Sequence, residues 1–414
     1  PWTDLTKDGT VLLDSEGLGQ QHQTISWVGL GKVTLSKGEH RLEVEGLEAG
    51  GAFVLDCFVL TPTPFDPMGL RKPGEKLGLA DPGTWAFEPD LDAHNAAPVI
   101  DLRGLNEKVA GERGWVKRSA DGADFVDGSG KPIRFWSVNT YIHRTNDLEA
   151  VKRQAANFAK RGVNMVRLHG HFAPGKGSKL SDVDEQALDQ CRLLVAGMKQ
   201  SGIYTTVSPY WGTHTDVEAS WNYTKGTGGK MTAVLFFDEE LQEAYKQWWR
   251  RLLTEKNPYT GIPLKDDPAL AILQLQNEDS MLFHTMSRLG PEATKLLEGK
   301  YAAWLKQKGR NTPAKLIPIW KLVEDPGKPD DQAKADLVQF YAETMRDFNA
   351  MMVQFFKDLG CKQLVNAGNW KPGDITKLGD AERWSYTAAD IIGVNRYVNG
   401  GTTQGGHVDP SGQG

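Results

Sequence analysis

The chain has no apolar run approaching the ~20 residues that a membrane-spanning helix requires, and no recognisable secretory leader. Cysteine is scarce. Cys57, Cys191 and Cys361 are the only 3 among 414 residues. They are far apart and form no CxxC pair, which leaves neither a zinc framework nor a disulfide pattern and leaves the redox compartment open. An excess of one charge sign is also missing, with 48 Lys and Arg against 53 Asp and Glu. Without a long basic run, nucleic acid and anionic membrane are poor partners. No GxGxxG or GxxxxGK[ST] follows the first strand predicted beyond residue 99, so a nucleotide-binding sheet lacks its usual support, and no cofactor is expected. Aromatic residues are plentiful. The 13 Trp, 10 Tyr and 15 Phe offer flat faces for apolar or amphipathic ligands, although most such rings pack in cores.

Length sets a prior of two units. Over residues 1–62 short apolar or alternating segments (TVLLD, QTISWVGLGKVTL, HRLEVEGL, GAFVLDCFVL) lie between Gly-rich turns. They predict antiparallel strands, the last part of a β-sandwich. Residues 63–98, rich in Pro and Gly, read as a linker. From residue 99 strands and helices alternate. Strands are predicted at 132–139 (PIRFWSVN), 163–169 (VNMVRLH), 202–212 (GIYTTVSPYWG), from 271, at 362–368 (KQLVNAG) and at 391–397 (IIGVNRY). Helices are predicted at 148–161, 182–201, 238–253 and about 332–359, with a further helical pattern before the last; Trp248 and Trp249 are core by default. Repeated strand–helix units imply parallel strands joined by right-handed crossovers, and the absence of a nucleotide motif favours a TIM (β/α)8 barrel over a doubly wound sheet. Six strands are legible where a barrel has eight. Residues 99–414 are therefore expected to be an incomplete barrel, and the start at Pro1 reads as a fragment whose leader is missing.

The most informative stretch is 271–280, AILQLQNEDS, where a short apolar run stops at Asn277 and Glu278. In a barrel the carboxyl ends of the strands converge on the active site, so a Glu there sits where chemistry is done. A second Asn-Glu pair at Asn106 and Glu107, in an ordinary polar stretch, shows that the dipeptide alone means little. Retaining glycoside hydrolysis needs two carboxyls about 5–5.5 Å apart, one protonated to assist the leaving oxygen and one ionised to attack the anomeric carbon.

Four segments together carry a resemblance: GKPIRFWSVNTY, GVNMVRLHGH, NPYTGIPLKDDPALAILQLQNEDS and AADIIGVNRY. They resemble the first, second, fourth and sixth barrel strands of glycoside hydrolase clan A, nearest to family five. The resemblance implies a glycosidase acting on an oligo- or polysaccharide, with a β linkage expected. It implies Glu278 as general acid/base, Arg167 as the second-strand Arg near the nucleophile and Tyr397 as the sixth-strand aromatic; Asn277, beside Glu278, is a candidate ligand of a sugar hydroxyl by its own donor and acceptor. Asn395 stands where that family commonly has His. The nucleophile, a Glu at the end of the seventh strand, has no candidate: Glu292, Glu298, Glu324, Glu343 and Glu382 fall in helical or connecting segments. The loose pattern VTLSKGEHRLEVEG is similar to the C-terminal part of jelly-roll carbohydrate-binding modules.

Other residues complete the candidate site. His169, Trp211, Trp370 and Asn139 fall at predicted strand ends and are candidate sugar contacts, the Trp rings by stacking. Arg167, projecting into a barrel mouth, calls for a carboxylate partner. Two rival readings stand beside the glycosidase. His169 and His171, in HxH spacing, could hold a divalent metal as in metal-dependent barrel hydrolases, although further His or Asp ligands are not evident. The aromatics and the β-module serve a non-catalytic carbohydrate-binding protein equally well. A secreted or periplasmic setting is expected.

Overall fold

The computed structural model describes residues 10–14, 26–44, 57–63, 65, 72–74, 82–85, 101–140, 147–170, 172–226, 228–324 and 331–395. In the N-terminal region β1 (Thr10–Asp14) and β2 (Ser26–Gly29) form one antiparallel pair. Residues 30–44 carry no strand. The remaining segments read as sandwich strands lie wholly or largely outside the described residues, as does most of 63–98.

Three two-residue strands, β3 (Lys117–Arg118), β4 (Phe125–Val126) and β5 (Pro132–Ile133), make a small antiparallel sheet. The single strand predicted over 132–139 is therefore split. Pro132, which lacks an N–H, pairs in this small sheet, and only β6 (Ser137–Thr140) enters the main one.

The main sheet is parallel. It contains β6, β7 (Met165–His169), β8 (Tyr204–Ser208), β9 (Leu270–Gln274) and β10 (Leu364–Asn366), in the order β10-β9-β8-β7-β6. Helices intervene: α1 (Leu148–Lys160), α2 (Glu185–Lys199), α3 (Glu239–Thr254), α4 (Pro291–Lys308), the short α5 (Ile319–Leu322), α6 (Asp331–Asp358) and α7 (Ile375–Tyr386). Strands that neighbour one another in strict chain order, with no reversal, follow the order of a barrel wall; a doubly wound sheet would change direction at a switch point. The described strands do not close into a ring. Of the predicted sixth strand, 391–397, the described residues 391–395 show a single parallel bridge between Asn366 and Ile391, with Ile392 and Val394 exposed; 396 and 397 lie outside the described residues. Without a buried apolar face on both sides there is little to hold that segment in a wall.

Local chemistry explains where the helices begin. Asp147, Asp184, Asp238 and Asp374 cap α1, α2, α3 and α7, each accepting from backbone N–H groups of the first turn. Each cap stabilises its helix by about 1 kcal/mol. Pro291 opens α4 and Gly309, at φ +66°, closes it, the expected asymmetry of helix ends. β8 and β9 are buried along their whole length, whereas β6 is largely exposed. The core fills the space between sheet and helices with Leu188, Leu194, Tyr245, Trp248, Trp249 and Phe356. Both tryptophans expected in the core are there. Among the described residues no helix is long and apolar enough to cross a membrane.

Candidate active site

Arg167, in the middle of β7, lies opposite Asn139 of β6 and Thr206 of β8 in the ladder. Its guanidinium donates to Gln274 Oε1 at 2.8 Å and to Asn277 Oδ1 at 2.7 Å, with longer contacts to Asn139 Oδ1 at 3.4 Å and Ser208 Oγ at 3.5 Å. The carboxylate partner expected for Arg167 is absent among the described residues. Neutral amides and a hydroxyl solvate the charge instead, because the strand ends around it carry Asn, Gln and Ser. Burial pushes the guanidinium below its ordinary value, and the nearby Glu278 charge opposes that shift.

Past β9 the backbone changes partners. Leu275 and Gln276 donate to Asn366 and Ala367 on one side, and Asn277 then donates to the Tyr210 carbonyl on the other at 3.0 Å. Gln274 Nε2 donates to its own Gln276 carbonyl at 2.8 Å, stapling the turn. The Tyr245 hydroxyl from α3 donates to the Leu275 carbonyl. Glu278 then adopts φ +48°, a left-handed conformation that costs a non-glycine residue about 1–3 kcal/mol and concentrates at functional positions.

Asn369, two residues beyond Ala367, holds this turn. Its Oδ1 accepts the Glu278 N–H at 2.8 Å, and its Nδ2 donates to Asn277 Oδ1 and Asn395 Oδ1, each at 3.0 Å. Asn395 Nδ2 donates to Glu278 Oε1 at 2.7 Å, and its own N–H reaches the Asn369 carbonyl at 2.6 Å. Arg167, Asn277, Asn369, Asn395 and Glu278 thus form one continuous polar network at the carboxyl end of the sheet. Sequence reading named Asn395 only as a departure from a family pattern and assigned Asn369 no role. The alternation of Gln274 and Gln276 inside an apolar run was a signal of a polar patch at this strand end: Gln274, buried at 2 % exposure, meets Arg167 and the Gln276 carbonyl.

The aromatic candidates are at the same end of the wall. His169 and Trp211 have ring centroids 4.6 Å apart, and Trp211 stacks on His214 at 3.4 Å and 29°. His214, not singled out from sequence, is exposed at the rim. Partial desolvation and the Lys230 ammonium hold its imidazole below the ordinary value, against the pull of Glu278. Trp370 follows Asn369 and meets the Phe283 ring edge-on at 5.0 Å. Tyr397 and His171 lie outside the described residues, as does any contact they make. Among the described residues no group of three or more His, Cys, Asp or Glu is placed to hold a metal.

A second layer of acid lies just beneath. Asp279 is 2 % exposed; its Oδ2 accepts the Ala233 N–H at 2.6 Å and its Oδ1 the Ser280 N–H at 3.0 Å. Burial pushes its carboxyl up to about 7 despite those two donors. Ala233 is itself left-handed at φ +58°, so Asp279 ties two strained backbone turns together.

A carboxylate on a strained turn thus lies at the carboxyl end of a chain-ordered parallel wall, ringed by amides and one arginine and flanked by half-buried aromatic rings. The chain is 26% identical over 190 residues to mannan endo-1,4-beta-mannosidase 2 of Arabidopsis thaliana, covering 41% of this chain and 42% of that protein. It is 26% identical over 172 residues to mannan endo-1,4-beta-mannosidase 3 of Oryza sativa subsp. japonica, covering 38% and 36%. The matches thus span less than half the length of these curated relatives. No family model matches. Among solved structures, the beta-1,4-D-mannanase of Cryptopygus antarcticus aligns at 15% identity over 67% of this chain and 70% of that one, with a TM-score of 0.37. The glycoside hydrolase family 5 mannosidase of Rhizomucor miehei aligns at 14% identity over 62% and 73%, with a TM-score of 0.31.

Proposed function

We propose that the protein is a retaining glycoside hydrolase that cleaves β-1,4 bonds within mannan, with Glu278 as general acid/base. The observation that carries this reading is the placement of Glu278 on a left-handed turn directly after β9, with its N–H and one carboxyl oxygen held by Asn369 and Asn395. Among the described residues no group donates to Oε2, which leaves that oxygen to carry the transferable proton. The similarity to two mannan endo-1,4-beta-mannosidases supports the substrate class.

In this mechanism a sugar binds across the rim, with rings stacking on Trp211 and Trp370 and hydroxyls meeting Asn277, Asn139 and His169. Glu278 protonates the departing glycosidic oxygen while a second carboxylate attacks the anomeric carbon, forming a glycosyl-enzyme. Water then attacks that carbon as Glu278 takes back a proton, and the second carboxylate leaves. Arg167, charged and without an ion pair among the described residues, is suited to hold that second carboxylate ionised beside the anomeric carbon. Tyr397 is proposed to join it. The test is hydrolysis of β-1,4-mannan oligosaccharides by the full-length protein and its Glu278→Gln variant. Turnover in the wild type that is lost in the variant, with binding kept, is expected; equal turnover in both would remove Glu278 from the chemistry.

A further inference from the structure

Glu382 of α7 is 1 % exposed and makes no contact with the amide network, yet both of its oxygens are engaged. Oε2 accepts from the Ser280 hydroxyl, two residues beyond Glu278, and Oε1 accepts from the Tyr386 hydroxyl one turn along the same helix. Tyr386 Oη in turn accepts the Trp370 N–H at 3.2 Å and lies 3.3 Å from the Trp370 carbonyl, immediately after Asn369. Ser280 Oγ also accepts the Leu282 N–H at 2.9 Å, folding the segment after Glu278 back on itself. One buried carboxyl therefore holds the loop after β9 directly with one oxygen and the loop after β10 through the Tyr386 hydroxyl with the other. The two loops also touch directly, at the Glu278 N–H to Asn369 Oδ1 and Asn369 Nδ2 to Asn277 Oδ1 bonds on the rim side, and at the Gly373 N–H to Leu282 carbonyl bond (2.8 Å) and the Phe283–Trp370 ring pair farther out; the Glu382 link backs these contacts from the interior.

We propose that Glu382 is a positioning residue that clamps the loop bearing Glu278 to the loop bearing Asn369 and Trp370, and so fixes the acid/base carboxyl against its amide partners. This rests on the reading of Glu278 as acid/base. Burial pushes the Glu382 carboxyl up to about 7, with the Asp279 charge adding to the effect and the Ser280 and Tyr386 hydroxyls opposing it. A glutamine of the same shape keeps an acceptor for the Ser280 hydroxyl and can donate to Tyr386 Oη, whose own proton then turns to the Trp370 carbonyl at 3.3 Å, whereas alanine removes both arms.

The test combines amide hydrogen exchange of the full-length protein with kinetics on mannan oligosaccharides. In Glu382→Ala, exchange is expected to rise together in residues 278–283 and 368–373 while α2 and α3 keep their protection, and kcat falls by about 10²-fold with KM little changed. Glu382→Gln recovers most of both. A rise in only one segment or in neither, an even rise across the whole chain, or a Gln variant as impaired as Ala would overturn the clamp. Should the Ala variant not fold, Ser280→Ala and Tyr386→Phe each cut one arm: each is expected to lower kcat, and together to lower it by less than the product. No effect from either single change also overturns it. If the wild type cleaves no mannan, the functional reading falls, and the exchange measurement still decides the clamp.

Discussion

Glu278 and Asp279 are adjacent carboxyls with opposite surroundings. Glu278 sits at the rim, half-buried, with one oxygen held by an amide side chain, while Asp279 points into the protein and accepts two backbone N–H groups under nearly complete burial. The rim is solvated by side chains that a ligand can displace or join. The layer beneath, Asp279 with Ser280 and Glu382, is satisfied by its own members and by Ala233, Leu282 and Tyr386, all within the protein interior. Neighbouring residues of similar chemistry are thereby divided between the rim and the interior, and the division is made by one left-handed residue that turns the chain between them.

The largest effect that would sharpen this comparison is on turnover. Glu278→Gln is expected to lower kcat on mannan oligosaccharides by about 10²–10⁴-fold, whereas Asp279→Asn lowers it far less; the reverse order would exchange their roles. Arg167→Met removes the donor that holds Asn277 Oδ1 and the charge facing Glu278, and a loss of about 10²-fold is expected in the same assay. In stability the order inverts. Gly212 lies against the lower layer, where an added Cβ would come within 2.7 Å of Asp279 Oδ2 and 2.9 Å of the Met231 carbonyl. Gly212→Ala is expected to cost about 1–3 kcal/mol by thermal or urea unfolding, with Glu278→Gln costing less.

A pH series tests the lower layer alone. Asp279 and Glu382 are both raised to about 7 when folded. Between their unfolded values of ~4 and about 7, the folded chain therefore holds protons that the unfolded chain has released. Their contribution to stability is full below ~4 and is lost as pH rises through about 7. The slope of Tm against pH in that window is expected to flatten in the Asp279→Asn, Glu382→Gln double variant; an unchanged slope would place the pH response elsewhere. The smallest effect expected is that of a chelator. Prolonged EDTA treatment should leave hydrolysis unaltered, and a stoichiometric zinc or manganese whose removal abolishes activity would restore the reading built on His169 and His171.

Much of the fold was legible in the chain. The period of apolar residues placed α1, α2 and α3 within a few residues, because Asp caps fix their starts and one stripe of each helix is buried. The runs around Val166, Val207 and Ile272 showed as strands because both their faces are covered. The first predicted strand is split at Pro132, and among the described residues the sixth pairs only at Ile391, where pairing rather than pattern decides. In the site, Glu278 and Arg167 were visible because a charge next to an apolar run is conspicuous. Asn369 and Glu382 were not, since an amide in a loop and an acid within a helix look ordinary until their partners are known.

By itself the sequence determined that an acid and an asparagine close an apolar strand and that an arginine interrupts another, because composition and spacing along the chain suffice to expose a misplaced polar group. Only the tertiary structure decided that Arg167 is solvated by amides rather than by a carboxylate, that Asn369 and Asn395 grip the turn at Glu278, and that Glu382 lies between two loops. Those facts depend on which distant segments the packed core brings within hydrogen-bonding reach, and local sequence carries no record of distances between residues a hundred positions apart.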